Sequence, residues 1–493
     1  MRNQFSRRLL AGLMLCLCWP ALAGDGGLTP AQAAQEMRIV KRSLQALHPA
    51  LTKYRSQAEI EQAFARFESA AQAAGDSSRM YLAVAQLSAF IRCSHTWPNV
   101  NNQQGGSKAA LLGAANKLPF TLRLVQGRWL VLASAVPEVA AGDEIVALNG
   151  LSAPQIVAQM LPYLRADGAS DAKRLQQLNH DRSDYSQMDM LWPLLSPPLA
   201  GRYRVQLRQP DSSVTRELEA PALTLQARAA ALAKQGVSGP DSAWRFQIQG
   251  QTGYLTLPNF AFWNSKFDWA GFLRQSFAEL QARQTPYLVI DIRQNEGGDG
   301  AIADALLSYL LKQPLQYSLQ QNISQYERVP YNLVRYLDTW DYSFFDRTGE
   351  VEKLNSGTAS GKYLVTARQG MHTITPQPRP YAGKVYLLIS AENSSATFVL
   401  AKLSKQSGAA TLVGQSTGGN LRGLNGGQLT WLTLPHSGVA LDIPLLAGQY
   451  SADTPDAGIA PDVPVQRSFA AQRAGRDEEM EAVQRLIQAQ GGN

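Results

Sequence analysis

The chain has 493 residues, 45% of them hydrophobic and 17% charged, with a formal net charge of +7. This composition describes a globular chain with a core of its own, of a length suited to two or three domains. No basic run is present to support nucleic-acid binding, and no segment approaches the roughly 20 apolar residues of a membrane-spanning helix.

The first residues read as a secretory signal peptide: Arg2, Arg7 and Arg8, then an apolar run from Leu9 to Trp19, then the small-x-small site Ala21-Leu22-Ala23. Removal of residues 1–23 places the mature chain in the periplasm or outside the cell. It also takes away three arginines, leaving a net charge of +4, and two of the three cysteines. Cys93 then stands alone, which rules out an intramolecular disulfide and reads as a buried thiol.

Thr29-Pro30 is a cap followed by a first-turn proline, and it opens a helix to about Leu47. Gln57 to Ala73 and Ser78 to Ile91 follow as amphipathic helices, giving a helical N-terminal domain over 24–115. Ser94 and His95 lie just past the third helix. Short alternating strands begin at Leu118 with a turn at Gln126-Gly127, and a hairpin turns at Pro210-Asp211. Ala141-Gly-Asp-Glu-Ile-Val-Ala-Leu-Asn-Gly150 resembles the strand-and-turn signature of a PDZ domain, so 116–225 is expected to be a PDZ-like unit, although its usual carboxylate-binding loop is not recognisable.

From 240 to 470 strands alternate with helices, the pattern of a mostly parallel mixed sheet with helices on both faces and functional loops at the strand carboxyl ends. Residues 313–380 form an irregular insertion rich in Tyr, Asn, Pro and Gly, and 471–493 a C-terminal helix. Val385 to Ser390 is a buried strand and Ala396 to Lys405 a helix, with Asn393, Ser394 and Ser395 at the junction. A serine there has an exposed hydroxyl beside the positive end of a helix, which suits a nucleophile; helix capping is the ordinary alternative.

Four motifs decide for the nucleophile. Asp291-Ile-Arg-Gln-Asn-Glu-Gly-Gly298, Ser395-Ala396-Thr397, Gly414-Gln-Ser-Thr-Gly-Gly419 and Gly458-Ile-Ala-Pro-Asp462 resemble, in order and spacing, the tail-specific (C-terminal processing) and tricorn-core serine peptidases. The resemblance implies a ClpP/crotonase-like peptidase core with Ser395 as nucleophile. It also implies an oxyanion hole from the backbone N–H groups of Gly297 or Gly298 and of Ala396. The tail-specific branch carries a lysine base where this chain has Asn420, so Asn420 is at most a supporting residue. Lys402 and Lys405 lie roughly 10 and 15 Å along the nucleophile helix, too far to replace that lysine. The tricorn-like branch takes a histidine base from the N-terminal region after a small polar residue, which Ser94-His95 matches. His48 and His180 read as surface residues, His372 falls in the insertion and His436 in a turn. The orienting acid falls on Asp453 or Asp456, Asp456 being preferred, and Asp462 reads as a turn residue.

The resulting expectation is a serine peptidase acting on peptides or unfolded proteins, with no metal, no organic cofactor and no membrane insertion. Two other readings use the same residues: a catalytically inactive, peptide-binding relative in the cell envelope, and a small-molecule ester or amide hydrolase.

Overall fold

The computed structural model describes residues 27–181, 185–237, 243–357, 359–366 and 370–491, so the expected signal peptide lies outside the described residues. Helix Pro30–Leu47 starts with a capping box in which the Thr29 side chain accepts from Gln32 N and the Gln32 side chain returns to the Thr29 backbone. Ser56 and Glu59 repeat the arrangement for Gln57–Gln72, and Asp76 caps Ser77–Ile91. The third helix stops at Arg92, in a left-handed conformation with φ 62°. That reversal sends Cys93, Ser94 and His95 away from the helix axis.

The antiparallel sheet follows in the order Phe120–Val125, Arg128–Ser134, Glu144–Leu148, Arg202–Arg208 and Thr215–Pro221, with Leu151–Ser152 paired to Glu144–Leu148. Helix Ala153–Met160 continues as a 3-10 turn over Leu161–Tyr163, where Pro162 lacks the N–H the α-helix needs. One continuous apolar cluster joins the N-terminal helices (Leu44, Phe64, Val84), this sheet (Phe120, Trp129, Val205) and Leu432 and Leu441 of a later hairpin. The helical segment and the sheet therefore share a core.

The second sheet runs Val463–Pro464, Thr411–Gly414, Lys384–Ile389, Tyr287–Asp291, Thr252–Thr256, Arg245–Gln249, all parallel except the Arg245–Gln249 edge. Helices Trp269–Ala282, Gly300–Leu310 and Ser395–Ser407 cover one face, through Leu273, Leu306 and Leu400. Glu478–Gly491 covers the other through Ala482 and Val483, against Val289, Tyr386 and Leu388. Burial on both faces explains why Lys384–Ile389 is apolar almost without interruption.

The insertion is more regular than its composition implied. Leu315–Ser318 pairs with Met371–Ile374, and Asn322–Ser324 with Ala447–Gly448 and Tyr363–Val365. Tyr326, Val329, Leu333 and Leu337 join the cluster of the N-terminal helices, so the insertion bridges the two halves of the chain.

Two histidines are not where the sequence placed them. His48 and His180 are buried, with 1% and 2% of their surface exposed. His48 accepts from Ala50 N at Nδ1 (3.0 Å), which puts the ring proton on Nε2, 2.7 Å from Thr96 Oγ1. Burial, reinforced by Lys362, holds it neutral with a pKa lowered to about 3. It props the turn that carries His95. His180 sits against the strand Phe120–Val125, its backbone paired with Leu122 and its Nδ1 3.5 Å from the buried Asp189.

Candidate active site

Ser395 opens its helix with φ 50°, a conformation that costs a residue with a Cβ about 1–3 kcal/mol and persists only where its surroundings enforce it. The enforcing bonds come from the turn after Tyr287–Asp291. Ser394 Oγ donates to Glu296 O (2.8 Å), and Thr397 Oγ1 lies within hydrogen-bond distance of Asn295 O and Ser394 O. Asn393 Nδ2 donates to Ile292 O and Asn295 O, while its Oδ1 accepts from Ser390 N. The two turns are packed so closely that a Cβ on Gly297 would lie 2.7 Å from Ser394 O and 2.8 Å from Ser395 Cβ.

Gly297 and Gly298 have φ 120° and 140°, accessible mainly to glycine. Gly297 N–H is already used, donating to Asn295 Oδ1 at 2.9 Å. Gly298 forms a parallel bridge with Phe260, in which Phe260 N bonds Gly297 O and Asp299 N bonds Phe260 O. The N–H of Gly298 is left out of that ladder, and Ala396 N–H is one of the unpaired donors of a helix N-terminus. Of the three expected oxyanion donors, Gly298 and Ala396 are thus uncommitted among the described residues. Ser395 itself is half-buried, and its Oγ has no hydrogen-bond partner among the described residues.

His95 stands in the turn after the third N-terminal helix and is half-buried. Its neighbour Ser94 donates from Oγ to Asp167 Oδ2 at 2.5 Å, and Ser94 N donates to Asp167 Oδ1 at 3.0 Å. A hydroxyl has one proton. With that proton on Asp167, Ser94 Oγ can only accept from His95 Nδ1, 3.4 Å away. The bonding pattern therefore assigns the proton to Nδ1 and leaves a lone pair on Nε2, which lies close against Gly426: a Cβ there would come within 2.2 Å of it.

Arg165 ties this turn to the glycine turn. Its Nη1 donates to Ser94 O (2.7 Å), its Nη2 to Glu296 Oε1 (2.8 Å), and its guanidinium lies 4.0 Å from the Trp97 ring centre. Ser94 and Ser394, the residues before His95 and Ser395, are thus both anchored to residue 296. Burial lowers the His95 pKa below the ordinary imidazole value. Arg165 and Lys173 push the same way, against Asp167 and Glu296. The imidazole is held neutral, the state a base requires.

Lys173, buried beside this site, is unsuited to be the base. Its three N–H bonds meet three acceptors: Glu296 Oε1 (2.9 Å), Glu392 Oε1 (3.2 Å) and Glu392 O (3.1 Å). Burial alone would raise the Glu296 pKa, but Arg165 and Lys173 outweigh it and hold the carboxylate ionised.

Asp456 lies one layer further out. Its Oδ1 accepts from Ala169 N (2.8 Å) and from Asn420 Nδ2 (2.6 Å), and it makes no hydrogen bond to His95. With Asn420 it fixes the loop that carries Asp167. The sequence reading missed Asp167 altogether; the one local signal is the glycine after it, since Gly168 has φ 51° and a Cβ there would strike Asp456, Asn420 and Tyr54. Asp462, as expected, is structural: it accepts from Leu412 N and pairs with Lys405. Among the described residues no group of three or more His, Cys, Asp or Glu could hold a metal ion.

Residues 251–465 match the model of peptidase family S41. The match covers 215 of the 493 residues, the stretch that carries Ser395 and the glycines at 297 and 298. The chain is a serine-type peptidase. Its fold is shared with mature CPAF complexed with lactacystin (TM-score 0.62, 14% identity, covering 93% of this chain and 98% of that one). Mature CPAF alone gives 0.56 at 14% identity over 90% and 94%. A photosystem II D1 C-terminal processing protease superposes at a TM-score of 0.38, with 16% identity over 89% and 94%. The peptidase has no described helix long and apolar enough to cross a membrane.

Proposed function

We propose that this peptidase cleaves peptide or unfolded-protein substrates through Ser395, with His95 as general base and acid and Asp167 acting on His95 through Ser94. In this reading Nε2 takes the Ser395 proton as Oγ attacks the scissile carbonyl, then returns it to the leaving amine. The oxyanion rests on the N–H groups of Gly298 and Ala396, where losing one donor costs about 10²–10³ in rate. Asp167 stabilises the imidazolium and keeps the productive tautomer. The leader-like residues 1–23 support action in the periplasm or outside the cell, and we read the antiparallel sheet unit as PDZ-like.

The observation that carries the proposal is the shared anchorage of the two turns at residue 296, which joins a strained serine to a neutral, acid-backed histidine from the far end of the chain. The test compares Ser395→Ala, His95→Ala and wild type on an unfolded protein substrate, with fluorophosphonate labelling of Ser395 in parallel. Both variants are expected to lose activity and His95→Ala to label slowly. Full activity in either variant overturns the mechanism.

A further inference from the structure

Away from the catalytic turns, a cavity of about 130 Å³ opens between helices Gln57–Gln72 and Ser77–Ile91 and the segment around Pro162. Four arginines line it: Arg55, Arg66, Arg92 and Arg174. Two carboxylates answer them. Asp171 pairs with Arg92 (2.7 Å) and Arg174 (3.0 Å), while Glu59 meets Arg55 only at 3.5 Å, its other oxygen being used to cap Ser56.

Much of this donor capacity is uncommitted. Arg174 spends its nitrogens on Leu161 O, Leu164 O and Asp171. Among the described residues, Arg55 uses Nε on Phe90 O and Nη1 on Glu59 and has no partner at Nη2, and Arg92 uses only Nη1. Arg66 has no ion pair among the described residues, and its guanidinium and that of Arg55 lie 4.9 and 4.5 Å from the Phe90 ring centre. An aromatic ring orients both planes without consuming their N–H groups. Fixed guanidinium forks with spare donors, in a partly desolvated cavity of this volume, match a tetrahedral oxyanion.

We propose that this cavity is a binding site for a phosphate-class oxyanion, held by Arg55, Arg66 and Arg92. Arg92 also connects it to the catalytic region. Its Nη1 donates to Gly168 O, Gly168 N donates to Arg92 O, and Asp167 precedes that glycine. An anion on the free side of Arg92 therefore sits at the root of the loop that supplies Asp167.

The anion is supplied either as a free ion or as a lipid headgroup. Inorganic phosphate is titrated against chloride at constant ionic strength, by calorimetry and thermal denaturation, into wild type, Arg66→Gln and Arg55→Gln/Arg66→Gln. Saturable one-to-one binding and a Tm that rises with phosphate are expected, with affinity at least about tenfold weaker in the double variant. Arg66 is exposed, so its single variant tests the site without disturbing the fold. Co-sedimentation of wild type, and not the double variant, with phosphatidylglycerol vesicles assigns a headgroup; phosphate binding without vesicle binding assigns the free ion. Absence of binding to both probes, or binding unchanged in the double variant, overturns the site.

Discussion

Ser94 Oγ lies 2.5 Å from Asp167 Oδ2 and 3.4 Å from His95 Nδ1, so one hydroxyl connects a carboxylate to the imidazole it does not touch. The carboxylate decides which way that hydroxyl points, and so which ring nitrogen is free.

Asp167→Asn keeps the shape but releases the Ser94 proton, which can then donate to Nδ1 and leave the proton on Nε2. The expected result is a fall in kcat of about 10² or more with KM nearly unchanged, by analogy with a directly bonded acid in a triad. The pH profile separates this from a packing defect. His95 is held below the ordinary imidazole value, so the acid limb of kcat/KM lies below about pH 6.5 in wild type. Asp167 raises the His95 pKa, so Asp167→Asn moves that limb to still lower pH. An unchanged limb and an unchanged kcat would remove Asp167 from the mechanism.

Gly426 faces Nε2 with no side chain, and a Cβ there would stand 2.2 Å from that nitrogen, 2.6 Å from Cδ2 and 2.8 Å from Cε1. The ring has to swing aside in Gly426→Ala. Because a misplacement of about 1 Å costs on the order of 10² in rate, kcat is expected to fall about that much while Tm stays within a few degrees. Wild-type turnover in this variant would show that Nε2 is not the working atom.

Asn393 is fully buried and spends its whole side chain on three backbone groups around the Ser395 turn and the glycine turn. Asn393→Ala orphans Ser390 N and removes one of the two donors at Ile292 O and at Asn295 O, at about 2–4 kcal/mol of stability. It also frees Ser395 from its left-handed conformation. Denaturant unfolding and fluorophosphonate labelling are expected to fall together; lost stability with unchanged labelling would detach the strained turn from reactivity.

How much of this could be read from the chain alone follows from the range of each contact. The helices of the N-terminal segment and the strand-turn-helix at Ser395 depend on caps, periodicity and glycines within a few residues, and the structure places them within one or two positions of the sequence reading. Asp167 is 73 residues from Ser94 in a polar stretch without periodicity, so its role exists only in the folded chain. His48 looked exposed beside Pro49, and His180 because it lies in a locally polar segment; one is buried under the His95 turn and the other against Phe120–Val125. The hairpin Leu429–Thr433 and Ala440–Pro444 did alternate in burial or run apolar, and it could have been recognised. The insertion could not, since Asn322–Ser324 finds a partner more than a hundred residues on, at Ala447–Gly448.

Asp442 makes the protein's stability respond to mild acid. It is buried at 3% exposure in the strand Ala440–Pro444, with Asn99 and Asn102 as donors and no ion pair among the described residues. Burial raises its pKa from 3.8 to about 6, against the opposing hydrogen bonds of the two asparagines. The sign follows from proton uptake. Between about pH 4 and 6 the folded chain holds a proton on Asp442 that the unfolded chain releases, so this group adds stability as pH falls through 6 and the gain levels off near 4. Its size is on the order of 1–3 kcal/mol. Carboxylates held below their ordinary value, despite burial, by a guanidinium, such as Asp477 by Arg293, oppose it at lower pH, so the difference between wild type and Asp442→Asn is the quantity to measure. Denaturant unfolding at pH 7, 6, 5 and 4 should show the two converging or crossing as wild type gains relative stability toward pH 4. A difference that stays constant with pH would mean that Asp442 is ionised in the folded protein throughout.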